Sequence, residues 1–181
     1  YDMVVVKLNP NGSYQWHTFY GCAEDDSPGN ITIDDKGNVY VAGLSKGSWQ
    51  GDGGVDPLHT HSGGSDIVVM KLESSGAYGW HSFYGSGGQE YGWGITVDGN
   101  GNVHIVGEGK AAWQGDGGEN PLHPYGGGDD IIVLKLYAEG LQPKEGTIGT
   151  RMTITGSGYG ARKGKVLLGS AVLKILEWSD S

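Results

Sequence analysis

Two stretches of the sequence carry side chains spaced as a ligand site would need them. Trp49, Asp52, Asp56 and His59 lie in one Gly-rich stretch, and Trp113, Asp116, Asn120 and His123 lie in another with the same spacing. An indole face stacks on a sugar ring, while carboxylate, amide and imidazole groups bind hydroxyls, so each set is a candidate glycan cradle. The oxygens of the Gly-Asp-Gly-Gly-x-Asp/Asn pattern, on Asp52, Asp56, Asp116 and Asn120, are also of the kind calcium takes, and calcium is the one cofactor this pattern suggests. The competing reading is structural: each Trp fills a gap between neighbouring units and Gly-Asp-Gly-Gly turns the chain. Repetition favours the structural reading, because a single binding site would diverge between copies, although a multivalent lectin would keep it.

Other polar groups are weaker. Asp98-Gly-Asn-Gly-Asn102 alternates oxygens like a calcium loop, but its counterpart Asp34-Asp-Lys-Gly-Asn38 puts Lys36 where a ligand is required; a hairpin turn explains both. His59-Thr-His61 suggests a metal pair, yet its counterpart reads His123-Pro-Tyr125. His17 and His81 each follow a Trp and are expected to pack between units. Glu24, Asp25, Asp26 and Glu90 either form an acidic rim at a channel mouth or solvate turns and strand ends. There is no His-Glu-x-x-His helix or P-loop, and no Ser or Cys in a triad context, so no enzyme activity is expected.

The composition narrows the class further. With 12 Lys+Arg against 21 Asp+Glu the net charge is −9, and the basic residues are scattered, which argues against nucleic acid as a partner. No apolar run approaches the roughly 20 residues of a membrane-spanning helix, so no membrane insertion is expected of this segment. Cys22 is the single cysteine, which excludes an intrachain disulfide and Cys-x-x-Cys motifs. Glycine supplies 36 of 181 residues alongside 6 Trp and 10 Tyr, a mixture that disordered chains lack and that reads as short strands joined by tight turns.

These strands repeat. Asp2-Met-Val-Val-Val-Lys-Leu8 recurs 64 residues later as Asp66-Ile-Val-Val-Met-Lys-Leu72 and 64 residues later again as Asp130-Ile-Ile-Val-Leu-Lys-Leu136. Trp16-His17, Tyr20-Gly21, Asp34, Gly37-Asn38-Val39 and the Trp49 stretch recur in the same register. Each repeat holds four expected strands, Ile31–Asp34, Val39–Ala42, Ile67–Leu72 and Tyr78–Tyr84, paired as two hairpins. The unbroken apolar run Ile67-Val-Val-Met70 requires cover on both faces, which stacked like units provide and which describes a propeller blade. With strands running from inside to outside, the long loops Gly43–Ser65 and Gly107–Asp129 share one face of the array, which is where a site is expected.

The strings Gly63-Gly-Ser-Asp-Ile-Val-Val-Met-Lys-Leu72, Trp80-His-Ser-Phe-Tyr-Gly85 and Ile95-Thr-Val-Asp-Gly-Asn-Gly-Asn-Val-His-Ile-Val-Gly107 resemble the bacterial SBBP β-propeller repeats. The resemblance covers about residues 1–138, with a repeat longer than the ~40 to 50 residues usual for blades. After Gly140 the repeat stops, so the last blade is expected to have three strands. Thr153-Ile-Thr-Gly-Ser-Gly-Tyr-Gly160 resembles the first half of an IPT/TIG Ig-like domain. The expected organisation is therefore all-β: C-terminal blades of a partial β-propeller at 1–138, a linker at 139–145, and the N-terminal half of an Ig-like sandwich at 146–181. The sequence opens inside a strand and ends inside a domain, and is read as a window on a longer protein.

What this resemblance implies is a non-catalytic structural or adhesive module of a large secreted or cell-surface bacterial protein. Its partners would be missing parts of its own chain or other chains of a surface assembly, met through protein–protein contacts. The alternatives are a carbohydrate-binding propeller using the repeated Trp/Asp/His loops, and the non-catalytic part of an extracellular enzyme. A partial array leaves apolar blade faces uncovered, so the chain is expected to need partners or to aggregate.

Overall fold

Tight turns set the strand pairing. Asp34 Oδ1 accepts the N–H groups of Lys36 and Asn38, both at 2.9 Å, and Asp98 Oδ1 accepts those of Asn100 and Asn102, also both at 2.9 Å. Gly37 and Gly101 complete the two turns at φ 80° and 83°, a region that side chains disfavour. Each turn closes a hairpin, as the Asp-x-x-Gly-Asn spacing predicts.

The computed structural model describes residues 1–115 and 117–137, together with two short strands at 166–168 and 171–173. The chain divides into two units, Tyr1–Gln142 and Pro143–Ser181. In the first, β1 (Met3–Leu8) pairs with β2 (Tyr14–Tyr20). A complete four-stranded sheet follows: β3 (Asp26–Ile33), β4 (Val39–Ser45), β5 (Asp66–Leu72) and β6 (Tyr78–Tyr84), in that order. The last sheet holds β7 (Glu90–Val97), β8 (Val103–Gly109) and β9 (Asp130–Leu136). All neighbours are antiparallel. The second unit is described only by the hairpin of β10 (Val166–Leu168) and β11 (Ala171–Leu173). The Ig-like half-domain read at 146–181 and the linker at 139–145 otherwise lie outside the described residues.

The strands are longer than the sequence patterning shows. β3 begins at Asp26 rather than Ile31 because a bulge between Pro28 and Asn30 carries pairing past the proline. The same bulge recurs between Gly92 and Gly94 in β7. The first strands of the second and third sheets approach closely: a Cβ on Gly29 would lie 2.1 Å from the Gly92 carbonyl oxygen, so glycine is required for β3 and β7 to approach. Backbone bonds tie each first strand to the sheet before it, from Asp26 N–H to Tyr1 C=O at 2.8 Å and from Glu90 N–H to Ser65 C=O at 2.6 Å.

Between the sheets lie two apolar layers. One joins Met3, Val5 and Tyr20 to Val39, Val41, Val68, Met70, Leu72 and Phe83. The other joins Tyr40, Ala42, Ile67, Val69 and Tyr84 to Val103, Ile105 and Leu136. β5 thus buries alternate residues in opposite layers, which is why its apolar run is unbroken. β1 and β9 carry equally apolar runs but bury only alternate residues, because each has a neighbouring sheet on one side among the described residues. Register therefore predicts opposite outcomes for one residue type. Leu72→Ala, at 0% exposure, should cost about 2–5 kcal/mol. Leu8→Ala, one repeat earlier at 55% exposure, should change stability by about 0.5 kcal/mol or less, both read from denaturant unfolding.

Candidate functional site

The long loop after β4 does not present Trp49 to solvent. The indole is 7% exposed and stacks on the His81 ring, with centroids 3.7 Å apart and planes 3° apart. It also stacks on Tyr20 of the preceding sheet at 5.7 Å and meets Phe83 edge-on at 5.9 Å. Trp49 therefore plugs the junction between two sheets, and its use as a sugar platform is corrected by this burial. His81, fully buried, is the floor of the plug. Its Nε2 faces the Trp49 carbonyl at 3.1 Å and so carries the proton, leaving Nδ1 to accept from the Tyr78 hydroxyl at 2.7 Å. Burial holds the imidazole neutral, lowering its pKa to about 4.

The oxygens of the first loop also have structural partners. Asp52 Oδ1 accepts the Tyr20 hydroxyl at 3.1 Å, tying the loop to the neighbouring sheet, and Asp56 Oδ1 accepts the Gln50 amide at 2.7 Å. Asn120 Oδ1 repeats the second contact with Gln114 at 3.1 Å. No three His, Cys, Asp or Glu side chains gather into a metal cage among the described residues, so the calcium reading of Asp52, Asp56 and Asn120 gains no coordination shell; Asp116 lies outside the described residues.

His59 Nδ1 sits 2.9 Å from the Ser82 hydroxyl, and the backbone around it runs along the outer edge of β6: Leu58 N–H donates to His81 C=O at 2.9 Å and Phe83 N–H donates to His59 C=O at 3.2 Å. The first loop thus covers its own sheet's edge strand. The second loop has no fourth strand beside it among the described residues, and its conformation differs accordingly. Trp113 is half-buried, tilted against Tyr84 at 6.2 Å, while His123 is exposed, with Nδ1 near the Pro124 carbonyl.

One consequence is a pairing that spacing alone does not reveal. His59 and Trp113, from different copies, line one open cleft of about 330 Å³ together with Thr60, Ser62, Tyr84 and Gln114. Neither Trp49 nor His123 lines this cleft.

Acids at strand starts hold the loops that precede them. Asp26, Asp66, Glu90 and Asp130 each stand at the start of a strand and accept the N–H four residues earlier, from Cys22, Ser62, Ser86 and Gly126 at 2.7, 2.6, 2.8 and 2.5 Å. Asp26 also accepts the Ser45 hydroxyl. Asp26 and Glu90 are therefore interior groups, not an acidic rim, whereas Asp25 is exposed and paired with Lys46 at 2.8 Å. A Cβ on Gly85 would lie 2.6 Å from Glu90 Oε2 and 2.7 Å from Asp66 Oδ1, so the two carboxylates face one glycine. Burial raises the Asp66 pKa. At the opposite turns, the Asn102 amide at 2.9 Å and His104 at 3.2 Å hold Asp98 well below the usual carboxylate range. Tyr40 makes the matching contact to Asp34, also at 3.2 Å. His61 and Tyr125 are similarly interchanged, one reaching the Ser45 carbonyl and the other the Lys110 carbonyl. His and Tyr exchange as hydrogen-bonding struts from repeat to repeat, which accounts for the imperfect His59-Thr-His61 pair.

The described residues thus define an all-β protein of propeller-type, antiparallel blades: one of four strands, flanked by one of two and one of three. Residues 15–48, from β2 through β4, match the model of the SBBP beta-propeller repeat family. No curated protein matches the chain. The family match supports the blade reading on the segment it covers and does not extend to residues 146–181.

The buried histidine gives a signed pH dependence. Its pKa falls from 6.5 when unfolded to about 4 when folded, so the unfolded chain binds the extra proton first. Stability from this group should be intact above pH 6.5 and decline as the pH drops towards 4. In His81→Gln that part of the decline should disappear, measured as the difference between wild-type and variant unfolding free energies across the window.

Proposed function

We propose that the chain is a non-catalytic structural module of a large secreted or cell-surface bacterial protein, acting through protein–protein contacts. The observation that carries this reading is the pair of apolar faces at the ends of the blade row. Val4, Val6, Leu8, Tyr14 and Phe19 are exposed at one end, and Val106, Ile131 and Val133 at the other. Exposed apolar faces of this kind mark contact with other protein. The polar groups support the non-catalytic half of the reading, since the candidate acids and histidines serve as loop struts. A blade array gains stability from each neighbour added. Duplicating residues 3–66 in register should therefore raise the unfolding midpoint and reduce binding of a hydrophobic dye; an unchanged midpoint would count against the reading.

The cleft favours a second reading, carbohydrate binding at His59 and Trp113. Its indole has a partly open face, and the surrounding wall mixes polar His59, Thr60, Ser62 and Gln114 with apolar Leu58 and Phe83. If it holds, Trp113→Ala should abolish binding on a glycan array while leaving the melting temperature nearly unchanged. Trp49→Ala should instead lower the melting temperature, because it empties the junction plug.

A further inference from the structure

We infer that Asp66 and Glu90 form a proton-held latch between the second and third sheets: a proton retained on the pair lets the junction close, and its loss sets two buried like charges against each other and loosens the junction. This goes beyond the structural-module reading and does not depend on it.

The latch is visible in the geometry. Asp66 at the start of β5 and Glu90 at the start of β7 are both fully buried. They come from consecutive sheets and meet at Gly85, where the position a Cβ would take lies 2.7 Å from Asp66 Oδ1 and 2.6 Å from Glu90 Oε2. Three of the four carboxylate oxygens have donors. Ser62 N–H donates to Asp66 Oδ2 at 2.6 Å, Ser86 N–H to Glu90 Oε2 at 2.8 Å, and the Ser86 hydroxyl to Glu90 Oε1 at 2.7 Å. The fourth, Asp66 Oδ1, is buried without a hydrogen-bond partner, and it is the oxygen on the side of Glu90. An ionised carboxylate oxygen left bare in the interior carries the full cost of losing water, whereas protonation turns the same oxygen into a donor.

Nothing packed around the pair supplies a compensating charge. The end of β6 contributes Gly85, β8 contributes Gly109 beside Glu90, and β4 sets Ser45 opposite Asp66. His61, in the loop before β5, also acts on Asp66, but it accepts the Gly63 N–H at Nδ1 and turns Nε2 to the Ser45 carbonyl, the arrangement of a neutral ring. A metal ion does not suit the donor set, because no three His, Cys, Asp or Glu side chains gather to hold one among the described residues. The repeat also diverges here. One repeat earlier Asp26 takes a hydroxyl donor from Ser45 on the adjacent strand; at the later positions the acid is Glu90 and the serine is Gly109, so the hydroxyl comes from Ser86 in the acid's own loop.

Two carboxylates that share a buried site resist ionising together. Burial, and then the Glu90 charge, raise the Asp66 pKa above 3.8. The folded chain therefore holds this proton more tightly than the unfolded chain, and stability from the pair falls as the pH rises from 3.8 through the folded value. His81 acts with the opposite sign and cancels when variant and wild type are subtracted.

The test uses the full chain with Asp66→Asn, Glu90→Gln and both together, reading denaturant midpoints from below pH 3.8 to well above neutrality. Asp66→Asn keeps an oxygen for the Ser62 N–H and can place an amide donor where Oδ1 stands bare. Its midpoint relative to wild type should stay constant below pH 3.8 and shift upwards as the pH rises through the window. Glu90→Gln should shift in the same direction, and the double variant should gain little more, because the first substitution already removes the repulsion. Hydrogen exchange at the Glu90 amide, which donates to the Ser65 carbonyl across the junction, should quicken with pH beyond its intrinsic rate in wild type and not in Asp66→Asn. A midpoint difference that is flat with pH, or that turns against the variant as pH rises, overturns the inference and leaves Asp66 a plain loop strut. A pH slope that survives in Asp66→Asn and vanishes in His61→Gln also overturns it, assigning the effect to His61. If the variants do not fold, the carboxyl carbon shift of Asp66 in wild type, followed by NMR, decides: titration above the ordinary carboxylate range supports the latch, and titration within that range overturns it.

Discussion

Everything else in the described fold depends on one repeated contact, the packing of the front of one antiparallel sheet on the back of the next. Such sheets are too small to bury their apolar residues by themselves, and a lone hairpin such as β1–β2 is marginal in water. Stacking solves this by giving β5 cover on both faces. The cooperative unit is then the junction rather than the blade, and the backbone bonds from Tyr1 to Asp26 and from Ser65 to Glu90 pin successive sheets at that junction.

The polar residues are best understood as servants of that contact. A carboxylate at the start of β3, β5 and β7 collects a loop N–H, and Asp34 and Asp98 at the turns each collect two more, so loops are held without regular pairing. Such bonds matter most in the interior, where an unpaired donor or acceptor carries the full cost of losing water. Asp66 and Glu90 show the tension directly: both are buried and face Gly85, and burial pushes Asp66 towards its neutral form. The interchange of Tyr40 with His104 follows from the same logic, because phenol and imidazole reach the equivalent carboxylate from the same register position, while His61 and Tyr125 reach carbonyls one residue out of register.

The two long loops show how one sequence motif acquires two environments. Trp49 has His81 beneath it and β6 beside its loop, and so becomes core. Trp113 has Tyr84 of the preceding sheet but no equivalent of His81 among the described residues, and keeps a partly open face. The cleft shared by His59 and Trp113 arises from that difference. The cleft thus lies between copies, where loops of adjacent blades meet.

Much of this was legible before any coordinates. Unbroken apolar runs, Asp-x-x-Gly-Asn turns and the uniform 64-residue spacing are local properties, so they dictated strands, hairpins and a stacked architecture. They also marked Trp49 and its partners as either cradle or plug, without deciding between them. Long-range neighbours decided that. Similar strand sequences in β1, β5 and β9 bury one face or two according to what lies alongside, and similar Trp loops close or open according to whether a fourth strand stands beside them among the described residues. Asp26 and Glu90 read as exposed acids because charge favours water, yet tertiary structure buries them by supplying loop donors. Sequence determined which faces are apolar and where chains turn; only the packing of sheet on sheet determined which of those faces meet, because burial belongs to pairs of surfaces and not to residues alone.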